Sequence, residues 1–155
     1  MPIFKLDEFL LNILPKKRVL GIDPGTKTLG IAVSNSDLTV ASPIFTIQRK
    51  KLKSDLNQLL EVLKKYDITG IIIGWPLNMD GSIGPRCDSV RDFVKSLLEV
   101  IDIPILLQDE RMSTMAIEKP MIKADLTRKK RNSRTDQLAA CWILQTALDG
   151  LPKRM

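Results

Sequence analysis

The sequence predicts an α/β protein with a mixed sheet flanked by helices. Two apolar runs on either side of a Pro-Gly turn, 19–22 and 31–33, are typical of an antiparallel strand pair, and 39–47 predicts a third strand. Farther along, amphipathic helical stripes alternate with apolar runs at 70–74 and 104–108, which indicates parallel crossovers. We therefore expect five strands, three antiparallel and then parallel ones, between helices.

Length and composition predict one domain. The chain has 155 residues, of which 44% are hydrophobic, so it can bury a core of its own. We divide it into a core at 17–150 and a short extension at 1–16, whose apolar spacing over 3–14 predicts an amphipathic helix that packs on the core. Pro43 lies inside the third strand and predicts an edge strand or a bulge there.

The residue types that are absent or sparse limit the chemistry. The chain has no histidine, which excludes Ser-His-Asp and Cys-His nucleophiles and histidine-bound zinc. Cys87 and Cys141 are far apart, so a disulfide framework is not indicated and a reducing compartment fits best. Without an apolar run of about 20 residues, and with Asp7 and Glu8 near the start, we expect a cytoplasmic protein. A hydrolase of this composition would rely mainly on water activated at a carboxylate-bound metal.

Asp23 is the first candidate for chemistry. It ends the first apolar run and precedes Pro24 and Gly25, a turn that opens the edge of the sheet. A carboxylate at the end of a buried strand is placed to hold a cation or to meet a ligand. The alternative is that Asp23 only forms a turn with the two residues that follow it.

Glu110 is a second candidate, at the exit of the last predicted strand. If that strand runs parallel to the first, Glu110 reaches the same sheet edge and faces Asp23. The alternative is that Glu110 and its neighbour Asp109 are solvated charges, or bond the amides of the helix that follows.

Asp136 is the third candidate, in the first turn of a helix predicted from about Thr135 to Leu148. Small residues on its side, Ala139 and Ala140, would let that helix approach the sheet closely. The alternative is a capping box formed by Ser133 and Asp136. Hydrolysis of a phosphodiester by two metals needs several carboxylates from different elements, and these three acids together would meet that need.

A basic run at 127–134 lies just before Asp136 and is predicted as a loop. It carries five cations in eight positions, and the whole chain has a net charge of +6 and a pI near 9.4, so we expect contact with nucleic acid. A solvated loop is the alternative. A second basic cluster at 49–53 is assigned to solubility and helix-surface charge.

Six ordered motifs resemble one known family, the YqgF/RuvX family of Holliday junction resolvase-like proteins, also described as pre-16S rRNA nucleases. They cover about 18–150 and read GIDPGTKTLGIAVS, ASPIFTI, GWPLNMDGSIGP, DERMST, TRKKR and DQLAACWILQTALDG. The resemblance implies an RNase H-like fold, a cytoplasmic location and processing of the 5′ end of the pre-16S rRNA. It also implies an acidic triad that falls on Asp23, Glu110 and Asp136.

The chain departs from the family pattern twice. Pro120 interrupts a helix predicted near 113–123, and Thr135 stands before Asp136 where an apolar residue is more usual. Neither departure removes a carboxylate, but both bear on the shape of the substrate groove.

The resulting hypothesis is a nuclease dependent on Mg²⁺ or Mn²⁺, with two ions held by the triad. Lys27 and Arg111 would steady the scissile phosphate, and the flanking backbone would be held by Arg128, Lys129, Lys130 and Arg131. The loop 75–86, which follows the strand predicted at 70–74, is a secondary candidate surface. The alternative is a surface connection whose Trp75 covers the core.

Three other interpretations stay open at this stage. A Holliday junction resolvase-like DNA endonuclease would use the same acids on another substrate. A non-catalytic RNA-binding assembly factor would use the same basic surface without turnover. A nucleotide-binding module is suggested by the DPGTK segment, which looks like the phosphate loop of actin-like ATPases, although those resemble two such domains.

Overall fold

The computed structural model describes residues 3–4, 9, 12–14, 16–25, 27–76, 80–109 and 128–150, and it describes 3–4 and 128–136 by their backbone alone. Within these residues, strands and helices follow in the order β1 Ile3–Phe4, β2 Arg18–Pro24, β3 Thr28–Ser34, β4 Ala41–Gln48, α1 Leu52–Lys65, β5 Ile68–Trp75, α2 Pro85–Leu98, β6 Ile105–Asp109 and α3 Arg128–Asp149. The predicted α/β class is confirmed.

The strands form one mixed sheet in the order β1-β6-β5-β2-β3-β4. β2, β3 and β4 pair antiparallel, whereas β5 and β6 extend the sheet from β2 in parallel. The predicted arrangement of three antiparallel strands and then parallel ones is therefore confirmed. Because β2, β4, β5 and β6 run in the same direction, their carboxyl ends share one edge, which we call the carboxyl edge. In the described part of the chain, no helix is long and apolar enough to cross a membrane.

The beginning of the chain differs from the prediction. The helix predicted over 3–14 is wrong at its start, because Ile3–Phe4 forms a sixth strand that pairs in parallel with β6. This pairing satisfies backbone groups that the outer edge of β6 would otherwise leave unpaired. Phe9 and Ile13 are buried against β5 at Gly70, where an added Cβ would lie 2.7 Å from the Phe9 ring. The extension thus packs on the core as expected.

Pro43 lies in β4, the edge strand on the other side of the sheet. Ile31 pairs with Phe45 and Ala32 pairs with Pro43, so Ile44 is an extra residue and forms a bulge. An edge strand tolerates proline because one side of its ladder needs no partner. The edge position and the bulge are both confirmed.

The two faces of the sheet are packed differently. The face under α1 and α2 carries large aliphatic side chains, among them Leu20, Ile22, Ile71 and Ile73. The face under α3 is partly built from small residues, with Gly21 of β2 in direct contact with that helix. Strand residues alternate between the two faces, so each face contributes buried residues to its own core cluster. The α3 face thus lets a helix come closer to the strands.

Candidate active site at the carboxyl edge of the sheet

Asp23 is the next-to-last residue of β2 and is half-buried. Leu20 and Ile22 belong to the core beneath α1 and α2, whereas Gly21 contacts α3. Since successive strand residues point to opposite faces, Asp23 lies on the α3 face. Its backbone pairs with Gly30 of β3, inside the sheet, so the backbone that carries this carboxylate is held in place by the strand ladder.

The turn after Asp23 is closed by backbone groups. The amide of Gly25 donates to the carbonyl oxygens of Asp23, at 3.1 Å, and of Thr28, at 2.9 Å. A Cβ on Gly25 would lie 2.7 Å from the Thr28 carbonyl oxygen, so the close turn requires glycine. Both bonds are made by backbone groups, so the carbonyl oxygen of Asp23 takes part in closing the turn.

Helix α3 packs tightly on β2. At Gly21 an added Cβ would lie 2.7 Å from the Leu144 Cβ and 3.1 Å from the Ala140 carbonyl oxygen. Ala140 is fully buried at this contact, and its neighbour Ala139 is also buried. The expectation that small residues let the last helix approach the sheet is confirmed, and Gly21 supplies the matching gap on the strand.

The direction of α3 can be read from the contacts of Gln145, near the carboxyl end of the helix. The Gln145 side chain accepts the amide of Ala41 at 2.8 Å and donates to the carbonyl of Thr39 at 2.9 Å, at the end of the sheet where β2 begins. Ala140 lies farther along β2, at Gly21. Helix α3 therefore runs antiparallel to β2, and its amino half lies toward the carboxyl edge.

This direction brings the backbone of Asp136 toward that of Asp23. Asp136 precedes Ala140 by one helical turn, about 6 Å along the axis. Asp23 follows Gly21 by two strand residues, about 6.6 Å in the same direction. The two candidate acids thus belong to the same end of the α3–β2 contact.

Two predictions about the start of α3 are wrong. The helix begins at Arg128 rather than near Thr135, so the basic run from Arg128 onward is helical rather than a loop. Arginine and lysine favour helices, and nothing in this run interrupts one. Asp136 is then the ninth residue of α3, and Ser133 is also inside the helix. The capping-box interpretation is therefore wrong, because a capping box operates at the first turn.

Glu110 and Arg111 lie outside the described residues. The strand that leads to them, β6, ends at the carboxyl edge with Asp109 exposed and paired in register with Trp75 of β5. β6 is parallel to β2, as expected, but β5 lies between them, so the two strands are about 10 Å apart. The expected approach of Glu110 to Asp23 would have to span that distance.

Five of the predicted nucleic-acid-binding cations are among the described residues, and all five lie toward the carboxyl edge. Lys27 is exposed in the turn between β2 and β3. Arg128, Lys129, Lys130 and Arg131 form the first turn of α3, described by its backbone. Since the amino half of α3 lies toward the carboxyl edge, these residues and Lys27 belong to the same end as Asp23.

Neither cysteine is part of this arrangement. Cys87 is buried and its Sγ contacts the carbonyl oxygen of Pro76 at 3.5 Å. Burial raises the pKa of the Cys141 thiol, and its Sγ contacts the carbonyl oxygen of Ala41 at 3.3 Å. A raised pKa favours the neutral thiol, so Cys141 is a poor nucleophile and a poor metal ligand.

Arg49 is a residue whose role the sequence reasoning missed. Assigned to surface charge, it instead lies at the end of β4, and its Nη1 donates to the carbonyl oxygen of Gly25 at 2.7 Å. Its backbone amide donates to the carbonyl oxygen of Lys27 at 2.8 Å. The available signal was its place at a strand-to-helix junction, where α/β sheets bind ligands.

The loop after β5 is described in part, with residues 77–79 outside the described set. Trp75 is half-buried and packs on the core, and the Arg91 guanidinium lies 5.8 Å from its ring centre. This agrees with a covering role for Trp75. At the far end of the loop, Arg86 borders a cavity that it shares with Arg49.

The donor chemistry of the site fits Mg²⁺ or Mn²⁺, which bind carboxylate oxygens. Asp23 supplies one such carboxylate, half-buried at the carboxyl edge. Among the residues whose side chains are described, no group of three acids or cysteines is close enough to hold a metal ion. The side chains of Glu110 and Asp136 are not among them.

Comparison with known proteins agrees with this architecture. The model of a family described as "RuvX: Holliday junction resolvase" matches residues 17–150. The chain belongs to the RuvX family. A relative from Rhodospirillum rubrum is 43% identical over 155 residues, covering 99% of this chain and 96% of the relative, and one from Ruegeria sp. is 47% identical over 143 residues, covering 92% and 91%. Both carry the name "Putative pre-16S rRNA nuclease".

The RuvX chain is also similar to a solved resolvase structure. Thermus thermophilus RuvC, solved in complex with a Holliday junction substrate, matches with a TM-score of 0.55 and 18% sequence identity, over 86% of this chain and 94% of RuvC. At this identity the similarity shows the shared RNase H-like fold. The predicted family and the predicted fold are both confirmed.

Proposed function

We propose that this RuvX protein is a metal-dependent nuclease that hydrolyses phosphodiester bonds and acts in the cytoplasm on the 5′ end of the pre-16S rRNA during ribosome biogenesis. The observation that carries the proposal is its similarity, over nearly the full length, to relatives named for that activity. The position of Asp23 beside the amino half of α3 supports it independently.

Three acids would hold the metal. Asp23, Glu110 and Asp136 would bind Mg²⁺ or Mn²⁺, two ions in the full site, which supply activated water and counter-charge for the leaving oxygen. The chain has no histidine, so the imidazole that serves many hydrolases as a general base is absent. The half-buried setting of Asp23 limits its motion and so favours a fixed ligand position.

The cations around the site would hold the substrate. Lys27, exposed two residues after the Gly25 turn, would neutralise the phosphate that is cut, together with Arg111. Arg128, Lys129, Lys130 and Arg131 would bind phosphates on either side of it. Contacts to phosphate carry no base information, so these cations would bind a nucleic-acid strand of any sequence, and any sequence preference would come from other contacts.

A second candidate function is cleavage of branched DNA. The observation that favours it is the description of the matched family as a Holliday junction resolvase. The same acids and cations would serve, because the phosphodiester chemistry of RNA and DNA is alike at the cut bond. A non-catalytic RNA-binding role is the third possibility, and it would need the cations without the acids.

One assay separates the three. Purified protein is incubated with labelled pre-16S rRNA precursor, unrelated single-stranded RNA and a four-way DNA junction, each with Mg²⁺, Mn²⁺ or EDTA. The proposal expects cleavage of the precursor with either metal and none in EDTA. Cleavage of the junction alone would support the resolvase, whereas metal-independent binding without any cleavage would support the assembly factor.

A further inference from the structure

We propose that a cavity on the α1 and α2 side of the carboxyl edge binds a backbone phosphate of the substrate strand, next to the bond that is cut. This inference rests on the proposed function, because it assigns the cavity a part of the same substrate. The cavity has a volume of about 430 Å³. Pro24 and Gly25 form one wall, and the others come from the β4–α1 connection, the first turn of α1 and the part of α2 between Arg86 and Phe93.

The cavity lies directly behind the candidate catalytic acid. Pro24, which lines it, is the residue after Asp23, and their Cα atoms are about 3.8 Å apart. Because the strand alternates, Asp23 belongs to the α3 face and Pro24 to the opposite face. A nucleic-acid strand whose scissile phosphate lies at Asp23 would therefore place the phosphate of a neighbouring nucleotide at this cavity.

Arg49 is a cation held in place at the cavity wall. Its guanidinium donates to the Gly25 carbonyl oxygen at 2.7 Å and lies 5.5 Å from the centre of the Phe93 ring. Its Nε is 3.9 Å from Oδ2 of Asp55, and its side chain is 25% exposed. A preorganised guanidinium loses little conformational entropy when an anion binds, which favours phosphate recognition.

The charges around the cavity favour an anion. Asp55 is 2% exposed, and besides its ion pair with Arg49 it accepts the amide of Lys50 at 3.1 Å. Lys50 and Arg86, both exposed, also line the cavity. Three cations against one acid leave a net charge of +2, which attracts a phosphate diester without base specificity.

The test compares two double variants of the full chain that lose the same charge. Lys50→Gln with Arg86→Gln removes two cations from the cavity, whereas Lys53→Gln with Lys95→Gln removes two exposed cations elsewhere on α1 and α2. Affinity for single-stranded precursor RNA is measured across a range of salt concentrations in Ca²⁺, which binds oxygen ligands while often failing to support turnover. Melting temperatures confirm that both variants are folded.

If both cations neutralise phosphates, the slope of log affinity against log salt falls by about 1.4 in the cavity variant, at roughly 0.7 per contact. The control variant keeps a slope closer to that of the wild type. Equal slopes in the two variants would overturn the proposal. Calorimetric titration with inorganic phosphate adds a second arm: phosphate binding lost in the cavity variant, with an unchanged RNA slope, would make this a site for free anions and also overturn it.

This binding experiment, together with the cleavage assay in Mg²⁺ or Mn²⁺ described above, distinguishes this inference from the proposed function. A wild-type protein that cleaves precursor RNA while both variants bind it alike refutes the cavity alone. A wild-type protein that neither binds nor cleaves RNA refutes the proposed function, and the cavity assignment with it.

Discussion

The two faces of the sheet differ in how closely their helices approach the strands. Against α3, β2 presents Gly21, where an added Cβ would lie 2.7 Å from the Leu144 Cβ and 3.1 Å from the Ala140 carbonyl oxygen, so the helix lies close to the strand backbone. Against α1 and α2, branched side chains such as Ile22 and Ile73 fill the space. The first arrangement fixes where a helix lies, and the second buries apolar area. Asp23 is on the first face, and Asp136 belongs to the helix that packs on it, which links close packing to the placement of these two acids.

The two kinds of packing also respond differently to substitution. At Gly21 the nearest atoms are the Cβ of Leu144 and the carbonyl oxygen of Ala140, and neither can move without the helix backbone, so an added carbon displaces the helix. A layer of large aliphatic residues loses a methyl group at a moderate cost and keeps its arrangement. Changes in the packing of the α3 face should therefore alter activity, whereas changes within the aliphatic layer of the other face should alter mainly stability.

Asp136→Asn should have the largest effect of the single changes on α3. If Asp136 is a metal ligand, cleavage falls by at least about a hundredfold, because metal activation carries most of the rate. The melting temperature should stay nearly unchanged, since asparagine has the same size. Cleavage of labelled precursor RNA and thermal melting are measured together. Full activity with a loss of about 1 kcal/mol of stability would instead assign Asp136 a structural role in the helix.

Gly21→Ala adds one carbon at the closest point of the α3 contact. The new Cβ would be 2.7 Å from that of Leu144, so α3 has to shift. We expect a loss of about 1–3 kcal/mol in the free energy of unfolding by urea, typical of overpacking. Cleavage should fall as well, because α3 carries Asp136. Unchanged stability and activity would show that the two elements pack less tightly than described.

Ile73→Val is the matched change on the other face, since it removes one carbon from a fully buried strand residue. We expect a loss of about 0.5–1.5 kcal/mol of stability in the same urea experiment. Cleavage by the folded variant should stay near that of the wild type. A loss of activity as large as that in Gly21→Ala would remove the distinction between the two faces.

Lys129→Ala with Lys130→Ala tests whether the amino end of α3 binds substrate phosphates. These cations should bind phosphates, so the salt slope of RNA affinity falls by about one, to a similar extent for different sequences. The pair Lys53→Ala with Lys95→Ala is the control, with the same loss of charge on α1 and α2. Equal slopes in both pairs would show that the basic turn of α3 is only solvated.

Much of the fold could be predicted from sequence because its signals are local. The run 19–22 is apolar over consecutive residues, as expected for a strand covered on both faces, and it became β2. The helical stripe from Leu52 became α1. Pro43 marked an edge strand because proline removes a ladder hydrogen bond. In each case the residues themselves restrict the backbone.

The misassigned features depend on contacts between distant segments. Ile3–Phe4 became a strand because β6, a hundred residues later, offers an unpaired edge. Ser133 resembles a helix cap by spacing, yet α3 already began at Arg128. Arg49 looked like surface charge, although the carbonyl of Gly25, distant in sequence, holds it at a cavity. Spacing along the chain cannot reveal such partners.

The central claim is that Asp23 acts as a metal-binding acid at the carboxyl edge, and Asp23→Asn tests it most directly. Cleavage of precursor RNA in Mg²⁺ and Mn²⁺ is compared for wild type, this variant and Asp92→Asn, which removes the same charge from an exposed position of α2. We predict a fall of at least about a hundredfold for Asp23→Asn alone, with all three melting temperatures alike. Wild-type cleavage by folded Asp23→Asn protein would contradict the account.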